Sequence, residues 1–175
     1  MAERELPAGL EPARHRELRG RQAIHVRRAV LTVLLAFVVV ALFGVFGQRS
    51  SSSSASGAAA DLRVQAPTRL RGGLIFQARF DVVAHRALAQ PKLVLDSGWI
   101  QGITLNTTEP SAMSEATRNG RVVFSFDTLD AGERLTFWIQ SQVNPTTVGR
   151  RRWGVELDDR SLPIARVQRT AFVFP

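Results

Sequence analysis

The sequence contains no cysteine. That excludes disulfides, thiol nucleophiles, thiolate metal sites and lipid attachment through a thiol. Histidine is scarce as well. There are three, His15, His25 and His85, and a long apolar run separates the first two from the third. His85 alone cannot build a histidine-rich zinc centre, and His15 and His25 read as solvated residues rather than ligands. No glycine-rich loop opens a helix: Gly72-Gly73 precedes strand-like sequence, so the usual phosphate cradle is missing. A nucleophile-elbow motif is missing too. Lysine is almost absent, with 22 of the 23 basic residues being arginine. These gaps leave no catalytic constellation and no expected metal or organic cofactor.

What is present begins with charge and one apolar block. The chain has 175 residues and a formal net charge of +8. A basic chain can meet anionic lipid, acidic polymer or nucleic acid. Ala29 to Phe46 reads AVLTVLLAFVVVALFGVF, with no charged residue in 18 positions, 13 of them Val, Leu or Phe. At 1.5 Å per residue such a run covers about 27 Å, close to the hydrocarbon thickness of a bilayer. A buried core helix would keep a polar stripe, which this run lacks. We read residues 29–47 as a transmembrane helix. Arginines crowd its N-terminal flank, Arg27 and Arg28 immediately before it, whereas Arg49 and Arg63 are sparse beyond it. That asymmetry places the N-terminus in the cytosol and the C-terminal part outside, on a plasma membrane. A signal sequence is the rival reading. Arg27-Arg28-Ala29-Val30-Leu31 loosely resembles a twin-arginine signal, and Ala58-Ala59-Ala60 resembles a cleavage site. The run is long for a signal, and the triplet lies well past it, so the anchor reading leads.

Residues 1–28 form a basic cytosolic tail, with seven Arg against four Glu. Its second half, from Pro12, has helix-compatible sequence running into the membrane. The interleaved glutamates and the lack of aromatics argue against nucleic-acid binding. Residues 48–60 are rich in Ser and Ala and read as a flexible linker.

From Asp61 the periodicity becomes two. Phe76, Ala78, Phe80 and Val82 alternate with Gln77, Arg79 and Asp81. Val122, Phe124 and Phe126 do the same, as do Leu135, Phe137 and Ile139, then Trp153, Val155 and Leu157. Turn signals such as Asn119-Gly120, Asp130-Ala131-Gly132 and Asn144-Pro145 separate these segments. Leu62–Ala66 reads as an opening edge strand ended by Pro67, and residues 110–118 as a loop or short helical turn. Seven or eight short strands without a soluble helix predict an all-β antiparallel sandwich or barrel over 61–175, preceded by one transmembrane helix.

The order of signals carries a resemblance. Gly72-Gly73 precedes the long strand LIFQARFDVVA, a Pro-led strand follows from Pro91 to Asp96, and VVFSF leads through the turn Leu129–Glu133 (LDAGE) into RLTFWIQSQVNP. This resembles the immunoglobulin-like repeats of bacterial surface proteins of unknown function, and the related cell-adhesion-type sandwich, over Leu62 to Pro175. The resemblance implies an immunoglobulin-like fold and brings no catalytic residues. The chain holds a single copy, where those surface proteins often have tandem repeats.

Few side chains suggest chemistry. Trp138 falls on the polar face of its strand with Thr136 and Gln140, where it could anchor a partner or stack on sugar. Arg150, Arg151 and Arg152 form a basic cluster suited to lipid headgroups or an acidic polymer. His85 is the sole histidine beyond the apolar run and would centre any Ser-His-Asp hydrolase. Asp158-Asp159 reads as a turn rather than a cation site. Asn106-Thr107-Thr108 fits a glycosylation acceptor. The expectation is a non-enzymatic interaction or accessory protein at the bilayer, binding a membrane-protein or cell-envelope partner. An envelope-polysaccharide-binding module is the alternative, and a hydrolase the third reading.

Overall fold

The computed structural model describes residues 21–43 and 49–175, and the chain divides between Gly47 and Gln48 into two compact units. The first contains helix α1 (Arg21–Leu42), whose 22 residues extend about 33 Å. Its stretch Ala23–Leu42 is long and apolar enough to cross a membrane, and its residues are exposed. The helix starts eight residues before the uncharged run, so Arg27 and Arg28 lie within it, both exposed. Thr32 Oγ1 donates to the Arg28 carbonyl at 2.9 Å, which satisfies the hydroxyl inside the helix itself. Residues 1–20, most of the basic tail, and 44–48 lie outside the described residues.

The second unit is all-β. Its strands are β1 (Ser50–Ser56), β2 (Ala60–Pro67), β3 (Arg69–Arg71), β4 (Ile75–Ala84), β5 (Pro91–Leu95), β6 (Ile103–Glu109), β7 (Ser114–Arg118), β8 (Arg121–Ser125), β9 (Arg134–Val143), β10 (Gly149–Arg152), β11 (Val155–Asp159), β12 (Leu162–Val167) and β13 (Thr170–Phe174). One five-stranded sheet runs β1-β2-β4-β9-β6, and the other β12-β11-β5-β8-β7. A three-stranded sheet, β10-β13-β3, includes the one parallel pairing among the described strands, β13 with β3. The antiparallel sandwich expected from alternation is what the chain forms, with more strands than the pattern revealed.

Alternation places the core. Phe80 of β4, Phe137 of β9 and Phe124 of β8 are fully buried, and the Phe124 and Phe137 rings meet at 5.0 Å across the two large sheets. Each such side chain stabilises the fold by about 1.5–3 kcal/mol through burial. Beside them Trp99 and Trp153 stack at 4.2 Å, with Phe76 stacked on Trp153 at 5.2 Å. The two indoles are held reciprocally. Trp99 Nε1 donates to the Gly154 carbonyl at 3.2 Å, and Trp153 Nε1 to the Gly98 carbonyl at 3.1 Å. Each buried N–H thus finds its acceptor beside the other ring.

Three local expectations require correction. The serine run is not a flexible linker. Ser50–Ser56 pairs along its whole length with β2, directing Ser51, Ser53 and Ala55 toward the same side as Ala66, Val64 and Leu62. Composition suggests coil, but β2 offers a complete row of unpaired backbone groups, and small side chains can line that face. The sandwich therefore begins at Ser50 rather than Asp61. For the same reason β2 is an interior strand, not an edge. Residues 114–118 form strand β7 rather than a loop or helical turn, hairpin-paired with β8 through Asn119-Gly120, both at positive φ (50° and 72°).

Candidate functional site

The three-stranded sheet carries an unusual outward face. Arg69 of β3 and Arg150 of β10 are both register partners of Phe172 of β13, and Arg71 is the partner of Phe174. Arg152 pairs with Thr170 one row along. Strict alternation turns Leu70, Ala171 and Val173 into the core and leaves Arg69, Arg71, Arg150, Arg152, Phe172 and Phe174 exposed. The two phenylalanines are 44% and 46% exposed, with their rings edge-to-face at 4.6 Å. β3, β10 and β13 contain no Asp or Glu, and none of the four arginines forms an ion pair among the described residues. Neighbouring guanidiniums that share no carboxylate leave a positive field open to an anionic partner.

The predicted arginine cluster is therefore split by the strand pleat. Arg150 and Arg152 face outward, whereas Arg151 turns back and its Nε is shielded without a hydrogen-bond partner among the described residues. Trp138 lies on a different sheet and is not brought to these arginines. It is half-buried, roofed by the Arg79 guanidinium 5.1 Å above its ring. Arg79 is fixed in turn by Asp81, with Nη2–Oδ1 at 2.8 Å, and Thr136 Oγ1 donates to the same oxygen at 2.8 Å. That face of the first sheet is a self-satisfied polar lattice around one covered indole.

A second surface lies on the outer side of the other large sheet. A cavity of about 690 Å³ opens over β5, β7 and β8, floored by Val94, Ala116 and Val123 and rimmed by Lys92, Arg121 and Asp158. Arg121 is committed to Glu156 at 2.6 Å and Asp96 at 3.2 Å. Burial, and then Glu156, push the Asp158 carboxyl above its ordinary value, against Arg121 and Lys92. Asp158 and Asp159 are the last residues of β11, not a turn; Asp159 accepts the Gln90 backbone N–H at 2.8 Å.

His85 Nε2 lies 3.1 Å from Asp61 Oδ2 at the surface. Hydrogen bonding from Ser56, and then the interaction with His85, hold the Asp61 carboxyl below its ordinary value despite partial desolvation. A serine–histidine–acid relay needs the imidazole between hydroxyl and acid. Here the acid stands between the hydroxyl and the imidazole, so His85 is not placed to deprotonate Ser56. Asn106 is exposed at a bulge of β6, an edge strand.

No family model matches the chain, and no curated protein matches it. Among solved structures, it is similar to the CARDB domain of a Pyrococcus furiosus protein solved with di-metal ions, at 13% identity and a TM-score of 0.43, over 70% of this chain and 95% of that one. It is also similar to a non-cellulosomal cohesin from Archaeoglobus fulgidus, at 11% identity and a TM-score of 0.42, over 71% and 92%. A third is the C-terminal domain of Wzt, at 14% identity and a TM-score of 0.40, over 74% and 81%.

Sequence reasoning found Arg150 and Arg152 because they are consecutive in a basic triplet. It missed Arg69, Arg71, Phe172 and Phe174. The alternation of RLR and TAFVF was a signal, but the parallel pairing that unites them spans about a hundred residues of sequence.

Proposed function

We propose that this chain is a single-pass, membrane-anchored binding protein without catalytic function. Its single immunoglobulin-like sandwich, of the kind carried by bacterial surface proteins, is held outside the plasma membrane and serves a membrane-protein partner or an envelope component. The observation that carries the reading is the presence in one chain of an apolar helix, α1, and a sandwich whose arginine and phenylalanine face is exposed and forms no ion pair among the described residues. A soluble domain has no use for 20 consecutive exposed residues as apolar as Ala23–Leu42, whereas a bilayer covers them. The arginine excess before the span sets the orientation. A polysaccharide-binding role resting on Trp138 is the weaker reading, because Arg79 covers one face of the ring that sugar stacking needs.

The native absence of cysteine makes the test clean. The full chain carrying Thr117→Cys is expressed, membranes are washed with carbonate, and intact cells are treated with a membrane-impermeant maleimide. The chain is expected to stay with the membrane and to be labelled without lysis. Release by carbonate, or labelling only after lysis, would sink the reading.

A further inference from the structure

We propose that the outward face of β3, β10 and β13 lays the sandwich on an anionic bilayer, with Arg69, Arg71, Arg150 and Arg152 on lipid phosphates and Phe172 and Phe174 at the headgroup boundary. The inference rests on the anchored reading above and assigns the ligand chemistry of this face. Three observations lead to it. The charge is of one sign, with no ion pair among the described residues, as phosphate recognition requires, and arginine presents a fork that matches phosphate oxygens. The apolar element sits in the middle of the basic one: Phe172 lies between Arg69 and Arg150 in one continuous row. Basic residues flanking exposed aromatics are what an interfacial surface offers to lipid.

The third observation is where the chain enters. Coming from α1, it joins the sandwich at Ser50, whose partner is Pro67, two residues before Arg69. Thr68, between them, accepts the Phe172 backbone N–H at 2.9 Å. The face therefore begins at the point of attachment, and only seven residues separate Leu42 from Ser50. Nucleic acid fits less well. Phe172 and Phe174 are packed edge-to-face on one another, which occupies ring surface that bases would stack on.

The full chain is reconstituted in vesicles of phosphatidylcholine alone, and of equimolar phosphatidylcholine and phosphatidylglycerol. A nitroxide is placed at Thr170→Cys on this face, at Thr117→Cys on β7, or at Val33→Cys in α1, and its collisions with oxygen and with a water-soluble nickel chelate are compared. The Thr170 site is expected to become shielded from nickel only with phosphatidylglycerol, while Thr117 stays water-exposed in both. Replacing one of the four arginines by glutamine is expected to lower the ratio of shielded to exposed population roughly fivefold. A Thr170 site as wet as Thr117 in both vesicles would overturn the proposal. So would shielding produced by a soluble acidic polysaccharide and not by phosphatidylglycerol, which would assign the face to an envelope polymer. The Val33 site separates the two readings: if it too is water-exposed, the anchor itself has failed.

Discussion

At the scale of single residues, two buried or half-buried charges govern stability. Arg169 is 7% exposed and has no carboxylate partner among the described residues. It donates to the carbonyls of Val64 at 2.6 Å and Ala66 at 2.7 Å, and to Ser51 Oγ at 2.9 Å, tying β1 and β2 to the segment before β13. Desolvation shifts its pKa downward. Arg169→Met is expected to lower the unfolding free energy by about 2–4 kcal/mol, because two buried carbonyls lose their donors. Denaturation followed by tryptophan fluorescence checks this; an unchanged midpoint would mean that relief of the guanidinium's burial cancels the lost bonds. Asp158 works the other way. Its folded pKa is raised, so its contribution to stability is full below the unfolded value near 3.8 and is lost as pH rises through the folded value. Asp158→Asn is therefore expected to be more stable than the native chain at neutral pH, the gap closing in acid. Equal stability at both pH values would refute it. Neither role was legible in the sequence, because both effects depend on what long-range pairing brings near a side chain.

At the scale of elements, most of the fold could be read ahead and the exceptions share one cause. β4, β8 and β9 alternate large apolar residues with polar ones, so their faces were assigned correctly from spacing alone. β1, β3 and β7 have little or no apolar face, and strand formation there follows from a neighbour's open edge rather than from their own side chains. The serine strand makes this testable. Hydrogen exchange is expected to show slowed amides within Ser50–Ser56, where a flexible tether would exchange at the rate of an unstructured peptide. The junction of the 3₁₀ turn Ser97–Trp99 with β10 is equally specific. A side chain at Gly98 would collide with the Arg152 backbone carbonyl, and one at Gly154 with the Asp96 carboxylate. Gly98→Ala is expected to cost about 1–3 kcal/mol through overpacking beside the paired indoles, read as a lowered thermal midpoint.

At the scale of the whole molecule, the chain divides into two units, one holding the apolar helix and the other the sandwich. Among the described residues, every buried apolar residue of the core cluster lies between Ala59 and Val173, within the second unit. That core is on a scale of over a hundred residues, which suffices for an independent domain. A chain lacking residues 1–47 is thus expected to unfold at the same denaturant midpoint as the full chain, within the scatter of a surface substitution, about 0.5 kcal/mol. It should also remain in solution over neutral vesicles and associate only weakly, and in a salt-sensitive manner, with anionic ones, since the arginine face would act without the proposed anchor. Sedimentation with vesicles at low and high salt measures this directly. Tight, salt-resistant association of the truncated chain would place the anchoring in the sandwich, and a collapsed midpoint would place part of the folding energy in the helix; either would undo the division of labour on which the anchored reading stands.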